Sequence, residues 1–176
     1  MAGGPFVHRH PLITSLLLVI VVFVGTNLLL FVWPATNQPR HVDAVLSLSG
    51  TNETARESTA ISLATRGYAP VLLFSLASGS FCPRVPRVSV VCFFPHPATT
   101  VGELKFASGY ARSHGWRSLM VVAGHAQVTR AHLLAERCYS GQIVMISAPV
   151  QLRDLPEEVL YEWGALAKAV VSDEHC

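Results

Sequence analysis

From Leu12 to Trp33 the chain reads LITSLLLVIVVFVGTNLLLFVW, with no charged residue. A helix of roughly 20 such residues matches the hydrocarbon thickness of a bilayer. This stretch constrains the fold more than any other feature, because it cannot be buried in the core of a small domain and must leave the remainder to fold beside a membrane. A cleaved secretory signal is the competing reading, but its apolar core is shorter and ends at a small-x-small site. Here the run ends in Trp33-Pro34. The expectation is an uncleaved signal anchor: a short cytoplasmic tail over 1–11, a transmembrane segment over 12–33, a linker over 34–40 and a folded domain over 41–176.

Orientation rests on few charges. Arg9 precedes the span and Arg40 follows it, with His8 and His10 near the first. The short leading tail and the positive-inside tendency place the N-terminus in the cytoplasm, making this a single-pass plasma-membrane protein with an extracytoplasmic C-terminal domain. Asn27 inside the span is read as a helix hydrogen-bond partner with no further role.

Set Arg9 and Arg40 aside and 11 of the 13 basic residues remain beyond the linker, balanced by all 11 acidic ones. No basic stripe appears, which argues against nucleic acid as a partner. Four cysteines, Cys82, Cys92, Cys138 and Cys176, lack the close-paired spacing of a zinc site, and no metal is expected. In an oxidising compartment they are free to pair. Cys82 and Cys92, flanking the start of an apolar run, are the expected disulfide; Cys138 is read equally well as a small buried hydrophobe. Asn52-Glu53-Thr54 matches a glycosylation sequon but is taken as a turn leading into a helix.

Apolar runs beginning near Asp43, Pro70, Val88, Ser118 and Gln142 read as strands. Helical patterns over Thr54–Arg66, Thr100–His114, Val128–Cys138 and Pro156–Val171 lie between and after them. Apolar strands alternating with helices predict an α/β domain with a doubly wound, mainly parallel five-stranded sheet, Rossmann-like, after one transmembrane helix. Only about a dozen residues join the second strand to the third, the lower limit for a parallel crossover, so that connection is either a plain loop or leads to an edge strand.

In such a sheet the loops after the strands gather at one edge. Four clusters are expected there: Ser49 to Asn52, Ser78 to Ser80, His96 to Glu103, and His125 to Arg130. Helix N-termini with Arg56 and Arg130 suit an anionic or polar ligand. Plainer readings stand beside this one. Thr100 and Glu103 fit a capping box, Arg56 fits a surface pair with Glu53 or Glu57, and His125 fits a solvated loop. Arg130 is treated as a surface arginine whose replacement leaves the fold intact. No nucleophile elbow, phosphate loop or intact GxGxxG is present, so no reaction and no cofactor is assigned.

The pieces DAVLSLSG, RESTAISLATRGYAPVLLFS, VCFFPHPATTVGE and VTRAHLLAERC, in this order, resemble the YdcF-like family of SanA- and ElyC-type envelope proteins, in its compact actinobacterial form. The resemblance covers nearly all of the chain beyond Arg40. It implies a Rossmann-type domain held at an inner membrane, a role in cell-envelope and peptidoglycan maintenance, and no settled reaction. Its polar edge falls on Ser49, Gly50, Arg56, Thr99, Thr100, Glu103 and Arg130, to which His125 and Gln127 are added as corner residues. The chain departs from the family's pattern: Ser49 replaces a glycine, and Ala123, Gly124 and Gln127 stand where Thr, Ser and His are expected, with His125 offset by two positions. Two functions are therefore carried forward, a domain that binds a small anionic or nucleotide-like envelope metabolite, and a catalytically degenerate scaffold that holds a protein partner.

Overall fold

The computed structural model describes residues 11–50, 53–76, 81–171 and 176. The leading tail, Thr51 with Asn52, and the Ser78 to Ser80 loop fall outside that set. Helix α1, Pro11–Asn27, runs into a widened π-helical turn, Leu28–Val32, closed by the Trp33 amide donating to the Leu28 carbonyl at 2.8 Å. Then follow β1 (Ala44–Ser47), α2 (Glu53–Thr65), β2 (Val71–Ser75), β3 (Ser89–Phe93), α3 (Thr100–Ser113), β4 (Ser118–Ala123), α4 (Val128–Cys138), β5 (Gln142–Ser147) and α5 (Leu155–Val171).

The five strands form one sheet in the order β3-β2-β1-β4-β5, every neighbouring pair parallel. Central β1 is buried at every position because helices cover both faces, which is why it reads as an unbroken apolar run. Ala60, Leu63 and Ala64 of α2 pack with Val45, Leu72, Phe74, Met120 and Val122 on one face. Residues of α3 and α4, with Ala169 of α5, pack with Leu46, Leu73, Val121 and Met145 on the other. The short β2–β3 connection contains no helix among its described residues and leads to an edge strand, so both expectations for it hold together. That loop is joined to β3 by a Cys82–Cys92 disulfide, and a second disulfide links Cys138 to Cys176. Cys138 is thus paired, not a free buried thiol.

At the sheet's N-terminal edge Asp43 ties β1 to β4. One of its carboxylate oxygens accepts from the Arg117 amide at 2.8 Å, the Ser118 amide at 2.9 Å and the Ser118 hydroxyl at 2.8 Å. These bonds, the Ser118 hydroxyl foremost, hold its carboxyl below the ordinary aspartate range. On the far side the linker does not hang free. Asn37 exchanges hydrogen bonds with Met145 at 2.9 and 2.8 Å, covering the open edge of β5.

Candidate functional site

The order 3-2-1-4-5 reverses between β1 and β4, and a crevice opens beyond the C-terminal ends of strands at such a point. The loop after β1 brings Ser49 and Gly50, the loop after β4 brings Gly124, Ala126 and Gln127, and the first turns of α2 and α3 with the Thr99 cap bring Arg56, Thr99, Thr100 and Glu103. Together with α5 they line a cavity of about 630 Å³. That volume lies within the usual range for small-molecule sites.

Arg56 is 1 % exposed. It is not the surface pair of the plainer reading. Its Nη1 donates to Gln127 Oε1 at 3.5 Å, while Nε and Nη2 have no hydrogen-bond partner among the described residues. Burial pulls its pKa down and the nearby Glu103 charge pushes back. Two glycines make room for the guanidinium. Gly50, at φ +127°, occupies backbone space that side chains disfavour, and a Cβ at Gly124 would stand 2.9 Å from Arg56 Nη1. A side chain at position 124 would therefore oblige the tip of Arg56 to shift.

Glu103 is equally buried. The cap of α3 is Thr99, whose hydroxyl accepts from the Gly102 amide at 3.4 Å, so the Thr100–Glu103 capping box does not form. Glu103 instead turns inward and accepts from the Ser49 amide at 2.6 Å. Burial raises its carboxyl pKa, opposed by hydrogen bonds from serine and by the charge of Arg56. A buried carboxyl whose pKa is raised above the ordinary glutamate range, set beside a cation, is a candidate to give or take a proton from a bound molecule.

Gln127 is the hub of the corner. Its Oε1 also accepts from the Gly124 amide at 3.2 Å, and its Nε2 donates to Thr100 Oγ1 at 3.2 Å. Thr100 Oγ1 accepts in addition from Arg130 Nη1 at 3.0 Å. The rest of Arg130 is engaged by Glu162 of α5, with Nε to Oε2 at 2.7 Å and Nη2 to Oε1 at 2.8 Å. Burial opposes the arginine's charge, but this two-pronged carboxylate contact outweighs it and raises the pKa. Arg130 lines the cavity as a neutralised pair, not as a free surface cation.

His125 is the sequence-derived site residue that the structure takes away from the cavity. Its Nδ1 lies 2.8 Å from Ser147 Oγ and its Nε2 lies 3.0 Å from the Val32 carbonyl at the end of the apolar N-terminal helix. Residue 125 follows the β4 end at the point where the chain turns outward, so its ring faces the sheet's β5 side while Gln127 faces back across the crevice. The solvated-loop reading fails as well, since the ring is held at both nitrogens.

What sequence reasoning missed is the wall made by α5, namely Glu157, Glu158, Tyr161, Glu162 and Lys168, continued by Asp154 before it. Asp154, Glu158 and Glu162 recur every four residues, a polar stripe along one side of the helix. That stripe was the available signal. Among the described residues no cluster of His, Cys, Asp and Glu is arranged to hold a metal. Neither protein-family models, curated proteins nor solved structures yield a match to the chain.

Proposed function

We propose that this chain is a membrane-anchored α/β domain that binds a small anionic, sugar-phosphate or nucleotide-like metabolite at the C-terminal edge of its sheet. The observation that carries the reading is Arg56, a buried guanidinium with two nitrogens that have no partner among the described residues, on the wall of a ligand-sized cavity. A buried cation in this state is costly unless something completes its hydrogen bonds. An anionic group at Arg56 does so, and the Tyr161 hydroxyl and Glu157 carboxylate across the cavity suit the hydroxyls of an attached sugar. Glu103 is the group positioned to exchange a proton with what binds. The resemblance to YdcF-like proteins supports a setting in envelope maintenance. The two disulfides support an extracytoplasmic domain, since such bonds persist in oxidising compartments.

The test is thermal unfolding of the full chain in detergent against inorganic phosphate, pyrophosphate, sugar phosphates and nucleotides, with Arg56→Met alongside. A ligand present at a hundred times its Kd stabilises the folded state by about 2.7 kcal/mol. The expected result is a rise in midpoint for at least one probe that Arg56→Met removes. A rise of equal size in Arg56→Met refutes the role of this arginine, and no rise with any probe favours the scaffold.

A further inference from the structure

Leu12–Val32, 21 residues, is the candidate membrane span. At 1.5 Å per residue it measures about 31 Å, close to the hydrocarbon thickness of about 30 Å. Only its first part is exposed along its whole length. The 13 residues from Leu12 to Val24 are exposed, whereas from Gly25 onward all but Leu29 are at least partly covered and Phe31 is fully buried. Thirteen residues reach about 20 Å, some 10 Å short of a crossing. The missing depth is the stretch that packs on the folded domain.

The contacts are specific. Trp163 of α5 donates from Nε1 to Asn27 Oδ1 at 2.9 Å and packs its ring edge-on to Phe31 at 5.3 Å and alongside Phe23 at 6.4 Å. Thr129 of α4 donates to the Leu30 carbonyl at 2.5 Å, and His125 meets the Val32 carbonyl. The π-helical turn places the Leu30 carbonyl within reach of α4 and the Val32 carbonyl within reach of the loop before it. Between Trp163 and α1 lies an apolar crevice of about 390 Å³, reaching along the helix as far as Leu18. For α1 to cross the bilayer, Trp163 must therefore sit at the depth of its last 10 Å.

The outward face of α5 is built for that depth. Leu160, Gly164, Ala167 and Val171 recur at spacings of four, three and four, all exposed and none charged, with exposed Val170 beside them. The four charged residues of the helix, Glu157, Glu158, Glu162 and Lys168, line the cavity instead, with Glu157 at the border of the apolar face and, like Lys168, also exposed. A helix apolar on one side and charged on the other, fixed beside a membrane span, lies in the bilayer interface. We infer that α5 is an interfacial helix seated on the same bilayer that α1 crosses, so that one helix is both membrane contact and cavity wall. The inference rests on α1 being a membrane span.

The experiment uses the full chain in phosphatidylcholine–phosphatidylglycerol vesicles containing a phospholipid with a photoreactive diazirine on its acyl chain. After illumination and trypsin digestion, label is mapped by mass spectrometry. The expected result is label in the 10–40 peptide and in the 154–168 peptide, with the α2 peptide 57–66 at background. Label in 10–40 without label in 154–168 overturns the interfacial placement of α5 while leaving the anchor intact. Label in neither overturns the membrane span itself and the inference with it.

Discussion

Arg130 and Glu162 form a buried, two-pronged ion pair, with side chains 11 % and 6 % exposed. Replacing Arg130 by Met keeps the stem and removes the charge, leaving the Glu162 carboxylate without its counter-charge and Thr100 without one donor. Opposite charges about 4 Å apart at an effective dielectric near 20 attract by about 4 kcal/mol. Breaking a buried pair by removing one partner costs about 3–5 kcal/mol. Because this pair borders an open cavity, the lower end applies, about 3 kcal/mol. For a domain of this size that is a fall in midpoint of about 10 °C. The double variant Arg130→Met, Glu162→Met removes both charges and should recover most of the loss, since a well-packed apolar replacement of a buried pair is often neutral. Urea unfolding of the full chain in detergent, followed by tryptophan fluorescence, measures these two variants and the single variant Glu162→Met, and the cycle should show a coupling of about 2 kcal/mol. If Arg130→Met costs under about 1 kcal/mol, the size of an exposed pair, or if the double variant loses the sum of the singles, the reasoning fails.

Two further outcomes are expected, besides the ligand dependence on Arg56 and the lipid labelling of α5. Asp43→Asn should cost about 1 kcal/mol at neutral pH, the difference between charged and neutral hydrogen bonds. A depressed carboxylate contributes stability above its unfolded pKa of about 3.9 and loses it as pH falls through the folded value, so the two proteins should converge below that range. A gap that persists at low pH contradicts the account. Non-reducing peptide mapping should recover Cys82 with Cys92 and Cys138 with Cys176. Opening the first by Cys82→Ser, Cys92→Ser should cost about 2–3 kcal/mol from loop closure alone, and recovery of free thiols at these positions would also count against an extracytoplasmic domain.

The reading of Arg130 from sequence shows where local reasoning stops. Its position in the first turn of α4 was legible, and so was the corner that holds it. Its partner was not, because Glu162 lies 32 residues away on a helix whose approach depends on packing. The same holds for Glu103, which by spacing belongs to a capping box and by tertiary contact belongs to the Ser49 amide. His125 and Gln127 are two residues apart at one corner, and the sequence offers no means of telling which faces the crevice.

The chain by itself determined what depends on neighbours along it. An uncharged run as long as a bilayer is thick, apolar strands without polar alternation, and helices between them specify a parallel α/β domain behind a helix long enough to cross a membrane. Strand order, the pairing of Arg130 with Glu162, the burial of Arg56 between two glycines and the seating of α1 on Trp163 were decided only in three dimensions. Each of these joins residues far apart in the chain, and its energy comes from desolvation and close packing, which have no local signature.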